Sequence, residues 1–259
     1  MAWYHEDNLS TLNFVIVGNC KSGCDILQAS LSAHPDIVCH GDVLHKDEAI
    51  RKAEHEDYFG ESGKVPDWYL PGHLSVEQYL NNKIFDNTLH DECAVGVKIG
   101  YDLFIENDLW DYIDQKGRHG DFCLIHITRN PVDCFVAKQQ DAVEFNNWGI
   151  PRYPGAGSNV RLDSDELTSF VRSHLATELK IDRLCDDRAV IDYQELLLDF
   201  RGVLQKLFEF LELKFSPACV PNLKRITDSG IQDQVGNWAS LTSGLPRDVL
   251  EFVERPVLL

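Results

Sequence analysis

The chain reads as an α/β protein, with a central, mainly parallel β-sheet flanked by helices. Three observations predict this class. The run "LNFVIVG" (12–18) is continuously apolar and ends in glycine, as a central parallel strand buried on both faces does. A second strong run, "FCLIHITRN" (122–130), likewise ends in a polar loop that opens a helix. Elsewhere short apolar runs alternate with segments of helical spacing, which is the signature of βαβ units.

The elements follow in chain order. After strand 12–18, the loop "GNCKSGCD" (18–25) opens the segment "CDILQASLSAH", whose Ile26, Leu27, Leu31 and Ala33 fall at roughly helical spacing. His34-Pro35 ends that helix, because the residue before a proline avoids helical backbone. "DIVCHG" reads as a short second strand. Residues around 46–92 form a polar insert with one helix, "LSVEQYLNNKIF", and "ECAVGVKIGYD" (92–102) is a third strand. The spacing of 103–116, "LFIENDLWDYIDQK", predicts one amphipathic helix. Strand 122–130 leads to the helix "PVDCFVAKQQDAVEF", with Pro131 in the first turn, where its missing N–H costs nothing. Residues around 146–161, rich in proline and glycine, read as a long loop of the kind that carries function. A helix over 163–185 opens on the capping residues Asp163 and Ser164. "AVIDYQELLLDF" supplies a strand and a turn, "RGVLQKLFEFLEL" an amphipathic helix, 216–240 a turn-rich tail, and "LPRDVLEFVERPVLL" a short helix. No repeat or linker divides the chain, so 1–259 is expected to be a single domain bearing the insert and the long loop.

Charge narrows the partners. With 42 acidic against 24 basic residues the net charge is −18, a field that repels nucleic acid and anionic membranes, so no nucleic-acid partner is expected. Any site for an anion must therefore be a local basic island. No run approaches the ~18 apolar residues of a transmembrane span, and the first residues, "MAWYHEDNLSTLN", lack the apolar core of a secretion signal. The eight cysteines are scattered without a C-x-x-C pair and read as buried thiols. A soluble, cytoplasmic protein is the expectation. The stretch 40–55 gathers His40, His45 and His55, but reads better as a solvated helix than as a metal site, and no metal is expected.

In open α/β sheets, ligands bind beyond the C-terminal ends of the strands. Two loops qualify. In "GNCKSGCD" the backbone amides can converge on an anion at a helix N-terminus, with Lys21 adding a full charge. A Walker loop would place lysine after the second glycine, whereas Lys21 precedes Gly23. In "ITRNPVD", Arg129 sits where strand becomes helix and can grip a phosphate in the same crevice; a salt bridge to one of the many acids is the plainer alternative.

Taken in order, these segments resemble sulfotransferases that use PAPS (3′-phosphoadenosine-5′-phosphosulfate). That family has a strand and a loop ending K/R-S-G-T-T, then a helix and H-P, matched by "VIVGNCKSGCDILQASLSAHPDI". Its short strand with G-E is matched by "CHGD", its R-N-P-x-D by "LIHITRNPVD", and its Y-E-D-L strand and following helix by "VIDYQELLLDFRGVLQKLFEFLEL". "VGVKIGYD" and "LKRITDSGIQDQVGNW" are similar to bacterial sulfotransferases of the nodulation and lipid-modifying type. The resemblance spans about residues 12–240 and implies a P-loop-NTPase-like sulfotransferase fold.

What the resemblance implies for the site follows by residue. Lys21 would contact the oxygen bridging phosphate and sulfate, and Ser22, Gly23, Cys24 and Asp25 would line the 5′-phosphate. Arg129 would bind the 3′-phosphate, with Lys224 and Arg225 as a second grip, and Tyr193 would lie against the adenine, a buried core tyrosine being the alternative. Asp42, at the acid of G-E, is the first choice for the general base, with His45 and His40 as alternatives; capping a helix is the other reading of Asp42. PAPS would be the sulfuryl donor and no metal is implied. The acceptor would be a small molecule, a carbohydrate or a lipid.

The sequence departs from the family pattern at three points. Cys24 and Asp25 replace the two threonines, and Ala137 replaces a serine, with Lys138 beside it as the candidate substitute contact. A thiol donates weakly, and a carboxylate at the first turn suits the helix dipole but repels a phosphate held there. Two further readings therefore stand beside the enzyme: a catalytically degenerate, sulfotransferase-like binding module, and a P-loop kinase, which the place of the lysine disfavours.

Overall fold

Leu12–Gly18 forms the central strand, β1, of the computed structural model, and its residues from Phe14 to Gly18 are buried. Such a strand needs partners on both edges, and it has them. Ala94–Gly100 (β3) pairs with it on one side and Cys123–Thr128 (β4) on the other, all parallel. Ile37–His40 (β2) extends the sheet beyond β3, and Arg188–Asp192 (β5) extends it beyond β4. The order is β2-β3-β1-β4-β5, a five-stranded parallel sheet. The structure describes residues 11–41, 43–44, 75–86, 93–148, 159–221 and 231–253, with 141–148 as backbone.

Helices cover both faces, as the continuous apolar strands require. On one face, α1 (Cys24–Ser32) packs Leu27 and Leu31 against Phe14, Ile16 and Ile125. Further along the chain, α2 (Val76–Tyr79) is held by a capping box between Ser75 and Gln78 and runs on into one wide turn, Leu80–Ile84. Between β3 and β4 the single helix expected over 103–116 is two: α3 (Tyr101–Glu106) and α4 (Trp110–His119). The break falls where Asp108 takes a left-handed backbone (φ 48) and the Asn107 side-chain amide donates to the Leu103 carbonyl at 2.7 Å. It lets Phe104 and Ile113 both bury against Val97 and Ile99 on the second face.

Pro131–Trp148 (α5) follows β4, and Ser164–Ile181 (α6) is capped by Asp163, whose carboxylate accepts from the Asp165 and Glu166 amides. The segment after β5 is a helix, α7 (Tyr193–Leu198), rather than a plain turn, because Asp192 caps it through the Gln194 and Glu195 amides. Asp199 then caps α8 (Phe200–Phe210), which buries Leu204, Leu207 and Phe208 on the first face. Toward the C-terminus come one turn at Ile231–Gln234 (α9), then α10 (Trp238–Gly244) and α11 (Arg247–Val253). Leu241 and Val249 of the last two join Val132, Leu167 and Val171 in a third apolar cluster over α5 and α6. Most of the polar insert, and 149–158 of the long loop, lie outside the described residues.

This topology fixes where a ligand would sit. The chain leaves β1 toward β2 and leaves β4 toward β5, in opposite directions, although β1 and β4 are neighbours. Crevices in parallel sheets open at such a switch point.

Packing at the centre is tight. A Cβ added at Gly96 would lie 2.1, 2.2 and 2.5 Å from ring carbons of Phe14, directly across from it in the register. Gly96→Ala is expected to lower stability by about 1–3 kcal/mol through overpacking. Urea unfolding measures this, and Phe14→Leu should recover part of the loss in the Gly96→Ala background. Strictly additive losses would place the cause elsewhere.

Candidate functional site

The loop after β1 is built around one carbonyl. The Asn19 carbonyl accepts the Ser22 amide at 3.1 Å and the Ser22 hydroxyl at 2.7 Å, folding the loop back on itself. Two residues in it take left-handed backbone: Lys21 (φ 66), which is rare outside glycine, and Gly23 (φ 98), the N-cap of α1. Gly23 has no side chain to cap the helix, so none of its own groups competes for the N-terminal amides. Ser22 and Cys24 point inward. Their Oγ and Sγ lie 3.3 Å apart, and a Cβ at Gly18 would meet them at 2.6 and 2.4 Å. Cys24 therefore fills core beneath the loop.

Arg129 comes off the end of β4 and closes the crevice from the other side. Its Nη1 donates to the Lys21 carbonyl, and its guanidinium lies over the Tyr193 ring, 4.3 Å from the centroid. Its Nε is buried with no hydrogen-bond partner among the described residues. Tyr193, the first residue of α7, is half-buried, and its ring edge occupies the space a Cβ on Gly23 would need, at 2.6 and 2.8 Å. The structure thus brings Lys21, Gly23, Arg129 and Tyr193 into one clamp. Asn130 secures the arginine's own turn: its Oδ1 accepts the Val132 amide at 2.9 Å and its Nδ2 donates to the Phe252 carbonyl at 2.8 Å.

The acid in the loop has a counter-charge that sequence reasoning missed. Asp25 Oδ1 pairs with the ammonium of Lys98, which is buried in β3. The signal was available: one lysine in the otherwise apolar run "VGVKIG" (95–100). A buried ammonium without a partner is costly, so the lysine accounts for the aspartate as much as the reverse. Lys138, on the second turn of α5, is exposed, and its ammonium stands 5.8 Å from the centroid of the Phe170 ring. Ala137 is half-buried beside it. Asp42, His45, Lys224 and Arg225 lie outside the described residues; His40 is buried at the end of β2.

Behind the loop lies a polar chain, buried at Tyr101, His126 and His174, that no sequence motif announced. His174, Glu178 and Asp182 recur at four-residue spacing along one side of α6 and its C-cap. The Asn19 side-chain amide contacts His174 Nδ1. The Tyr101 hydroxyl pairs with His126 Nε2 at 2.6 Å, and His126 Nδ1 with Asp182 Oδ1 at 3.0 Å. A neutral His126 satisfies both bonds, its Nδ1–H donating to the carboxylate and its Nε2 accepting from the tyrosine. Burial holds His174 down to about 4, with the neighbouring His126 acting in the same sense. Burial also lowers His126, against the pull of Asp182.

No protein-family model matches the chain, and no curated protein does. In structure the chain is similar to several sulfotransferases. It is 15% identical to the sulfotransferase domain of the Synechococcus PCC 7002 olefin synthase, over 98% of each chain, with a TM-score of 0.43. Against a sulfotransferase from Alicyclobacillus acidocaldarius the identity is 20%, over 82% of this chain and 86% of that one, with a TM-score of 0.46. Against mouse sulfotransferase SULT7A1 complexed with PAP it is 15%, over 80% and 61%, with a TM-score of 0.41. At such scores the likeness adds no weight to the residue geometry.

The histidines carry a pH dependence with a defined sign. The unfolded chain titrates His174 near 6.5 and the folded one near 4, so between these values the unfolded state binds more protons. Stability is complete above about pH 6.5 and falls as pH drops through that window, by about 2 kcal/mol at about pH 5 from His174 alone. Asn19, Tyr101, Phe170 and Glu178 are the groups around the ring. Urea midpoints at about pH 7 and about pH 5 should show the drop, and His174→Asn should shrink it. An undiminished drop in that variant would assign it to other groups.

Proposed function

We propose that the chain binds PAPS and moves its sulfuryl group to a hydroxyl, or an amine, of a small-molecule, carbohydrate or lipid acceptor. The observation that carries this reading is the Arg129 clamp. A guanidinium is held against the loop carbonyl and the Tyr193 ring, with its Nε buried and unpartnered, beside a glycine-capped helix N-terminus. In a chain of net charge −18, a guanidinium so placed at one crevice fits an anionic ligand. The neutralised Asp25 fits it too, since Lys98 offsets the charge that would repel phosphate.

When bound, the nucleotide would supply an activated sulfuryl group; the rest falls to the chain. The loop amides of Ser22 and Gly23, with Cys24 and Asp25 at the first turn, would border the 5′-phosphate. Lys21 would offset the charge that grows on the departing phosphate oxygen. Arg129, flanked by Lys138, would hold the 3′-phosphate, with Lys224 and Arg225 as the second grip. Tyr193 would serve the adenine while orienting the arginine. Asp42, or else His45 or His40, would take the proton from the acceptor hydroxyl.

A second reading, a sulfotransferase-like binding module that no longer catalyses, rests on Cys24 in place of a hydroxyl residue and on the absence of a hydroxyl at Ala137.

Calorimetric titration with adenosine 3′,5′-bisphosphate tests the site. Binding is expected in the micromolar range, weakened at least about tenfold by Lys21→Ala and by Arg129→Ala, as the loss of one charged hydrogen bond implies. No heat at millimolar nucleotide would overturn the reading. For the proton acceptor, Asp42→Asn is expected to abolish sulfuryl transfer while leaving nucleotide affinity within about twofold. Full turnover in that variant moves the role to His45 or His40, and binding with no transfer to any acceptor class favours the second reading.

A further inference from the structure

We propose that His174 is a positioning residue that holds the phosphate loop in register through the side chain of Asn19. The effect on nucleotide affinity rests on the reading above; the effect on the loop does not.

The argument starts at Asn19, the first residue after β1. Its carbonyl accepts both the amide and the hydroxyl of Ser22, so the orientation of one peptide group closes the whole turn. That closure places Lys21 in its left-handed conformation and presents the Lys21 carbonyl to Arg129. Nothing in residues 18–25 itself fixes the Asn19 side chain. It reaches instead across the crevice to α6, 155 positions along the chain, and contacts His174 Nδ1.

His174 is held for that task. The ring is 3% exposed, set edge-on to Tyr101 with centroids 5.4 Å apart and tilted against Phe170 at 6.0 Å. Tyr101 is fixed in turn by its hydrogen bond to His126, and His126 by Asp182, so the ring has rigid neighbours on the side away from the loop. The Asn19 amide nitrogen can only donate, so Nδ1 accepts and the ring proton sits on Nε2. Nε2 has no hydrogen-bond partner among the described residues; Glu178 Oε2 stands 3.8 Å away. The hydrogen bond of this buried imidazole goes to the loop after β1. A polar ring kept dry among aromatic residues, with one nitrogen unmet and the other spent on Asn19, is placed for Asn19.

The test separates the two nitrogens. Asparagine at 174 keeps a polar atom near the place of Nδ1, and glutamine keeps one near the place of Nε2. The protein without nucleotide is followed by amide hydrogen exchange over residues 20–23 and by alkylation of Cys24, the thiol buried under the loop. His174→Gln and Asn19→Ala are expected to raise both rates about tenfold, while His174→Asn stays within about twofold of the parent. Val171→Ala, three residues earlier on α6 and also buried, controls for general loosening: it should lower the melting temperature and leave the loop rates alone. Affinity for adenosine 3′,5′-bisphosphate should fall in the same order. Unchanged loop rates in His174→Gln and Asn19→Ala, or an equal rise in Val171→Ala, would overturn the proposal. If the glutamine variant does not fold, Asn19→Ala decides it from the half-buried loop side. If the parent protein binds no nucleotide, the functional reading fails while the exchange rates still decide the role of His174.

Discussion

The bond from Arg129 to the carbonyl of Lys21 joins the loop after β1 to the loop after β4, and the residues around it are chosen together because of it. Lys21 must be left-handed for its carbonyl to be offered on that side, Gly23 must lack a Cβ for Tyr193 to come close, and Tyr193 must come close to support the guanidinium. None of these is a strong constraint alone. As a set they convert the neighbouring ends of two buried strands into a shaped crevice, which the sheet order alone would leave as bare backbone.

Charge is arranged on the same principle. In a strongly acidic chain, the two cations around the loop are each held by specific partners: Arg129 by a carbonyl and a ring, Lys98 by Asp25. The polar chain from Asn19 to His174, with Tyr101, His126 and Asp182 behind it, extends the support from the loop to α6. Histidines suit such a place because burial keeps them neutral, and a neutral ring offers one donor and one acceptor.

Much of this was legible in the residues. Strands buried on both faces are continuous apolar runs, so β1, β3 and β4 stood out, and the two loops that follow β1 and β4 carry Lys21 and Arg129 in plain view. The break between α3 and α4 was hidden because the apolar spacing of "LFIENDLWDYIDQK" continues across it; the left-handed turn at Asp108 is set by packing on the sheet. Asp192 was read past as the end of a strand, though an aspartate two and three residues before free amides caps a helix. Lys98 was visible as a lysine in a core strand. His126 and His174 were not, because a buried histidine at helical or strand spacing looks like a surface one until its partner, distant in sequence, is known. Of the candidate proton acceptors, those at 42 and 45 lie outside the described residues, as do the candidates for a second phosphate grip at 224 and 225.

The pairing of Asp25 with Lys98 also constrains how such a loop can be remodelled. An aspartate at 25 with no cation in reach would leave a bare negative charge in the loop, and a lysine at 98 with no acid in reach would leave a buried ammonium unpaired. Neither residue is favourable alone, so the two are expected to change together. The two positions, 73 residues apart on different elements, act as one unit: a hydroxyl residue at 25 would take an acid from a buried ammonium, and removing the lysine would take that counter-charge from the acid in the loop.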